Sequence, residues 1–423
     1  MATAVQKTGG TFEALRNRNF RVYFIGQLAS TSGTWMQITA QGWLVYHLTQ
    51  SAAWLGIVAC AAGLPILLLS PIAGVIVERN SRRQTMLITQ TIQMILAFIL
   101  AVLVLTSTVQ IWHIVVLAVL LGVSNAFDGT VRFAITADLV EREHLRSAIA
   151  LSAILFNVSR VLGPATAGLA LVTLGAGWCF FLNGLSFVPV LISLMLITVK
   201  ALVVPSTTAN PLQELAEGLR YARSHRLILP ALLLTANAGL LAISVIYLFP
   251  AFAAVVLHSP TNGYTAISIA NGLGGVLGGL LMGWLTRRIG LARIIAAMAV
   301  LTALNMALLA YTPTIAVATL FAFAFGLALV VQLVGANTLI QVEVPNAFRG
   351  RVLALYNLGF SGLTPFGALA LGLISANIGI VNTFVLTAGV SGILSLAILL
   401  RWSHLWQRQP VVAPTLGSTL DNA

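Results

Sequence analysis

Gly74-Val75-Ile76-Val77-Glu78-Arg79-Asn80-Ser81-Arg82-Arg83 closes one long apolar run and opens the next. About half a chain later, Gly283-Trp284-Leu285-Thr286-Arg287-Arg288-Ile289-Gly290 repeats the design: Gly, three residues, then a charged pair at a turn between apolar runs. A second echo links Leu145-Arg146-Ser147-Ala148 with Phe348-Arg349-Gly350-Arg351, each opening an apolar run. Two halves built alike are the first implication.

The charge layout extends the argument. The chain has 22 Lys and Arg and 10 Asp and Glu, and all but three of these fall in seven loops or tails. The alternate connections, 48–53, 106–112, 173–178, 258–264, 311–315 and 376–382, carry no charge. Basic residues confined to alternate loops are the positive-inside pattern, which puts the charged loops and both termini in the cytoplasm. Twelve apolar runs reach the roughly 20 residues a spanning helix needs: 20–47, 53–77, 85–106, 112–137, 146–172, 178–199, 228–257, 264–286, 291–311, 315–340, 350–376 and 382–402. The chain is 59% hydrophobic and only 8% charged, whereas a soluble domain carries about 25% charge. The fold class expected is an all-α membrane protein of twelve transmembrane helices in two six-helix halves. The domains expected are 1–200, an N-terminal six-helix bundle; 201–227, a cytoplasmic linker; 228–402, a C-terminal six-helix bundle; and 403–423, a cytoplasmic tail. Within the linker, Leu212, Leu215, Leu219 and Tyr221 set among charges predict a short amphipathic helix over 211–226. The N-terminal run is too long for a signal-peptide core.

The Gly74–Arg83 stretch resembles the signature of the major facilitator superfamily between its second and third helices, with Glu78 in place of the usual Asp and Ser81 in place of the second Gly. Asn125-Ala126-Phe127-Asp128-Gly129-Thr130-Val131-Arg132 and Asn157-Val158-Ser159-Arg160 resemble the branch that contains the bacterial enterobactin exporter and macrolide efflux pumps. Ser159-x3-Gly163-Pro164-x3-Gly168 is similar to the fifth-helix motif of antiporters, with Ser and Ala where that motif has Gly. The resemblance implies the major facilitator fold, alternating access, and export of a drug, macrolide or siderophore-like molecule from the bacterial inner membrane. It also implies a cytoplasmic gate at Gly74, Glu78, Arg79, Arg82 and Arg83, with Glu78 meeting the helix start at Arg349–Gly350 when that side closes.

The three charges set well inside apolar runs, rather than at their ends, are Asp128, Arg132 and Arg160. Charge in a bilayer costs at least ~2.5–3.5 kcal/mol on insertion scales, so each is a functional-site candidate. Asp128 is the acidic one and the candidate proton-coupling group. Burial favours its neutral form and a nearby guanidinium its carboxylate. It has two possible partners: Arg160 across helices, or Arg132 one turn away. Polar stripes at helical spacing predict cavity walls: Ser30, Thr34, Gln37 and Gln41; Asn125 beside Asp128; Asn157 beside Arg160; and Asn237, Ser244 and Tyr247. Trp35 and Phe325 offer apolar cavity surface. The same stripes also suit hydrogen bonds between helices.

Other chemistries find no support in the sequence. The Gly272–Gly279 stretch has no preceding strand and suits close helix packing rather than nucleotide binding. The His residues lack metal-ligand spacing, so no metal is expected. Cys60 and Cys179 lie in apolar runs and suit no disulfide framework. The basic surplus brackets helices, so no nucleic-acid partner is expected. No enzyme is expected, and no cofactor beyond a proton as coupling ion. The partners expected are a small amphipathic substrate and the lipid bilayer, with the chain acting as a monomer. The competing readings are solute uptake by symport or facilitation, and a non-transporting sensor or assembly partner.

Overall fold

The protein is described here from a computed structural model covering residues 12–141, 143–197 and 211–402. The 200/201 boundary and the 403–423 tail lie outside the described residues. Helices dominate: α1 Arg18–Thr49, α2 Ala52–Arg79, α3 Arg82–Leu105, α4 Ile111–Asp138, α5 Leu145–Thr173, α6 Ala176–Leu196, α7 Pro211–Ser224, α8 Ile228–Ile246, α9 Phe249–Val255, α10 Asn262–Ile289, α11 Leu291–Ala310, α12 Ile315–Glu343, α13 Asn346–Ile378 and α14 Ile380–Arg401. Among the described residues, 11 helices are long and apolar enough to cross a membrane. The first, α1, has 32 residues and so has the length; its Gln, Ser and Thr residues make it more polar than the rest.

Local chemistry sets the helix ends. Asn17 caps α1, its side chain accepting from the backbone N–H groups of Asn19 and Phe20, and Thr314 caps α12 in the same way. Gly175, Gly290 and Gly379 take positive φ at three of the turns, a conformation that costs glycine little. The run 228–257 is not one straight helix. It breaks between Ile246 and Phe249, just before Pro250, and α8 widens into π-type turns over Ala238–Ile243. Likewise α13 widens over Leu358–Gly362, just ahead of Pro365. Proline removes a ladder hydrogen bond and forces such adjustments. Within the widened turns of α8 the Gly239 carbonyl accepts from Ser244 Oγ and from Thr364 Oγ1 of α13, each at 3.1 Å.

Neighbour relations recur along the chain. In the first half, α2 packs on α4, α3 on α4 and α6, and α1 on α5 and α6. In the second, α10 packs on α12, α11 on α12 and α14, and α8 on α13 and α14. The halves meet through α2 against α13 and α5 against α10.

That meeting is confined to one end and the middle. Toward the uncharged loops a single apolar core runs through both halves, including Leu44, Leu55, Phe180, Phe249, Ile267 and Phe384. Toward the charged loops each half has its own core, Phe20, Met86, Ile135 and Leu194 in one and Ile228, Ile295, Leu339 and Val352 in the other. One face of α10 records the divergence. A Cβ on Gly272 would sit 2.9 Å from the Arg160 carbonyl oxygen, whereas Gly279 and Gly283 on the same face have nothing within 4 Å. A cleft therefore opens between the halves toward the charged loops.

The amphipathic linker helix forms over Pro211–Ser224. It lies on the start of α13, where Glu217 pairs with Arg351 at 2.7 Å and the Tyr221 and Phe348 rings stack at 4.8 Å.

Candidate functional site

The candidate site is an α1–α3–α4 polar cluster with Asp128 at its centre. Asp128 is 2% exposed. Its Oδ1 accepts from Gln90 Nε2 at 2.7 Å and Thr89 Oγ1 at 3.1 Å. Its Oδ2 pairs with Arg132 Nη2 at 2.6 Å, one turn along α4. Ser30 donates to Gln90 Oε1 at 3.1 Å, which aims the Gln90 amide at the carboxylate. Arg132 Nη1 donates to Thr31 Oγ1 at 3.1 Å. With the Gln27 amide turned to suit its neighbours, its oxygen accepts from both terminal nitrogens of Arg132, at 2.5 and 3.1 Å. A buried charge pair is retained only with such full satisfaction, because unpaired buried charge is far costlier. Arg132 remains 32% exposed, and the added Cβ of Gly129 would meet open space. The carboxylate is thus sealed, while its partner reaches the cleft.

Of the two partners open to Asp128, the structure selects Arg132. Arg160 joins a different neighbourhood. Its guanidinium carbon lies 5.7 Å from the Trp35 ring centroid, and its Nη2 reaches Asn271 Oδ1 of α10 at 3.5 Å. Among the described residues it has no carboxylate partner. The reason is rotational: Asp128 faces α3 and α1, whereas Arg160 faces the junction with the second half.

Several residues expected to line a cavity are instead sealed between helices. Ser30 serves Gln90. Gln37 accepts from Asn183 Nδ2 of α6 at 2.6 Å. Asn237 donates to Ser391 Oγ and Ser395 Oγ of α14, each at 3.1 Å. Ser244 is consumed by the widened turns of α8, and Phe325 lies in the apolar core. Helical spacing identifies a shared face, not what that face looks at. Tyr247 is 39% exposed, and Thr34, Trp35, Gln41, Asn125 and Asn157 are partly exposed. Asn125 accepts from Gln93 at 3.2 Å, extending the Asp128 cluster.

The loop motif divides its labour. Arg82 pairs with Asp138 at 2.6 Å, tying α3 to the end of α4. Arg83 donates to the Leu194 and Met195 carbonyls at 2.5 and 3.0 Å, capping α6. Glu78 and Arg79 are exposed, and Gly74 and Gly350 each face open space, so the Glu78 side and the α13 start stand apart here. In the helix-5 motif, a Cβ on Gly163 would lie 2.7 Å from the Trp35 carbonyl carbon, and one on Gly168 would lie 2.6 Å from Thr265 Oγ1. Pro164 is buried beside them.

Gln27, Thr31, Thr89, Gln90 and Asn271 were not singled out in the sequence. A signal existed in α3, where Thr89, Gln90 and Gln93 interrupt an otherwise apolar run. No charge drew attention to it.

A bundle of membrane-length helices with a cleft between two packed groups and a buried carboxylate beside it is the architecture of a multi-pass membrane transporter, and the family match and relatives make it one of the major facilitator type, not an enzyme. Residues 9–410 match the family described as transmembrane secretion effector, and the chain belongs to that family. It is 25% identical over 390 residues to the staphyloferrin A transporter of Staphylococcus aureus, covering 86% of this chain and 91% of that one. It is 26% identical over 367 residues to the multidrug efflux pump Tap of Mycolicibacterium fortuitum, covering 82% and 86%. The solved nucleoside transporter NupG superposes with a TM-score of 0.72 at 15% identity, covering 92% of this chain and 100% of that one. At that identity the likeness concerns the fold alone.

Proposed function

We propose that this protein is a secondary active exporter, carrying a small amphipathic molecule out of a bacterial cell in exchange for protons by alternating access. Two six-helix halves, related as parallel repeats, rock about the junction of α2 with α13 and α5 with α10. The matching neighbour relations in the two halves support that arrangement. The relatives described as a multidrug efflux pump and a staphyloferrin A transporter support export. The observation that carries proton coupling is Asp128, a carboxylate held far from either end of its helix and joined to the cleft only through Arg132. On this reading, protonation of Asp128 loosens Arg132 from it, and re-forming the pair favours proton release. The cycle needs no cofactor, and one chain suffices. Glu78 approaches the α13 start when the charged side closes, where exposed N–H groups favour an anion.

A substrate screen in an efflux-deficient host, with and without a protonophore, tests the function. Expression is expected to lower intracellular accumulation of at least one amphipathic compound, and the protonophore to erase the difference. Raised accumulation instead would assign uptake. No compound moved in either direction would favour the sensor reading.

The orientation has its own test. Reporter fusions at Gln50, Val109, Gly175, Thr261, Thr314 and Ile380 are expected outside, and those at Ser81, Glu143, Thr208 and Arg288 inside, from the basic-loop asymmetry. Two or more reversed sites would overturn the twelve-span topology.

A further inference from the structure

Two groups near the middle of the junction of the two halves share one property: they are donors short of acceptors. Arg160 carries five N–H donors on a planar fork and no acceptor. Its one hydrogen bond among the described residues, to Asn271 Oδ1, is long at 3.5 Å. Asn271 is 4% exposed, and its Nδ2 is buried with no partner. With Oδ1 turned toward the guanidinium, the amide's own donor is the group left over. A buried polar group without a partner is uncommon and calls for a reason. What this place lacks is an acceptor, and the positive charge makes an anionic oxygen the acceptor that fits.

The surroundings refine the fit. Trp35 lies under the guanidinium, and its ring meets the Phe156 ring edge-on at 5.6 Å. Gly275 presents no side chain, so the Arg160 Nη1 lies only 3.7 Å from where its Cβ would be. One wall is therefore aromatic, one is bare backbone, and the polar groups come from both halves. Asp128 does not neutralise this cation, because its carboxylate is fully engaged with Arg132, Gln90 and Thr89.

We infer that Arg160 and Asn271 form a binding site for an organic carboxylate, with Trp35 and Phe156 receiving the apolar body attached to it. The fork pairs with the two carboxylate oxygens, and Asn271 Nδ2 donates to one of them. The site draws on α5 and α10, so an occupant touches both halves at once. This rests on the reading of the cleft as the transport path and adds a substrate class to it: amphipathic anions rather than cations.

The test is equilibrium binding to the purified full-length chain in nanodiscs, using three matched probes: naphthoate, naphthylmethanol and naphthylmethylammonium. Binding needs no gradient and no direction of transport. Its result therefore stands apart from the export assay, and either can fail alone. Wild type is expected to bind naphthoate about tenfold tighter than the alcohol, and the ammonium weakest, as a charge-assisted fork predicts. Arg160→Gln is expected to erase the naphthoate preference while leaving alcohol binding unchanged, and Arg160→Lys to restore part of it, since a point charge keeps attraction without the bidentate fit. Asn271→Ala is expected to weaken naphthoate alone, by about threefold, and provides a reading if the Arg160 variants fail to fold. No preference for the anion in wild type, no binding of any probe, or equal naphthoate binding by wild type and a folded Arg160→Gln overturns the site.

Discussion

Asp128→Asn is expected to abolish gradient-driven accumulation of substrate in proteoliposomes under an imposed pH difference, with insertion and folding retained. Asn has the shape of Asp and can still accept from Thr89 or Arg132, but it cannot take up and release a proton. It also brings an NH2 group against donors on Gln90 and Arg132 that now face a carboxylate. Hydrogen bonds to charged groups contribute about 1.5–3 kcal/mol each, so a lowered melting temperature is expected alongside the lost coupling. Arg132→Ala should destabilise more, by about 3–5 kcal/mol, because it strands a buried carboxylate. The pair of variants separates the two roles. Loss of uphill transport with downhill exchange intact marks Asp128 as the coupling group. If Asp128→Asn concentrates substrate as wild type does, the residue is structural and the proton-site assignment fails. A swap of Asp128 with Arg160 has no basis, since those side chains do not meet.

Gly56→Leu is the second variant with a large expected effect. A Cβ on Gly56 would lie 3.0 Å from Leu369 Cα and 3.1 Å from the Ala368 carbonyl carbon, closer still to that carbonyl oxygen. All three atoms are α13 backbone, so no side chain can rotate out of the way. Gly372 mirrors this, its Cβ position 2.8 Å from the Ala52 oxygen and 3.1 Å from Gly56 Cα. The two helices close the uncharged end by backbone contact, and a leucine there wedges it open. Overpacking costs about 1–3 kcal/mol, which shifts the equilibrium away from the closed state by about 5- to 150-fold. Transport should fall correspondingly, while labelling of a cysteine placed behind the contact should rise. The control is Gly389→Leu, where the added atom meets nothing within 4 Å. Wild-type transport by Gly56→Leu would show that closure of this end does not depend on the α2–α13 contact.

The helical bundle was legible before any coordinates because a bilayer leaves little choice. Backbone groups in hydrocarbon must be satisfied within each segment, so long apolar runs become helices. The uncharged connections 173–178 and 376–382 and the charged turn ending at Gly290 located three turns where glycine takes positive φ, and the leucine spacing over 211–226 located the linker helix. The first helix was recognisable by its length although its Gln, Ser and Thr residues weaken its apolar signal. The breaks in α8 and α13 were not anticipated, although Pro250 and Pro365 stood in plain sight. Whether a helix with a proline kinks, widens or ends depends on its neighbours as well, and here Ser244 and Thr364, from two helices, both donate to the Gly239 carbonyl in the widened turns.

The sequence alone determined which residues bear cost in the membrane: Asp128, Arg132 and Arg160 stand out because charge among apolar residues is expensive wherever it points. It also determined the i,i+4 relation of Asp128 to Arg132, since helical geometry alone brings those side chains within reach. Only the tertiary structure decided the rest, because the rotation of each helix about its axis comes from packing against its neighbours. That rotation turns Asp128 toward Thr89 and Gln90, and Arg160 toward Asn271. It buries Gln37 against Asn183 and Asn237 against Ser391, where spacing along one helix could not tell a partner helix from a cavity.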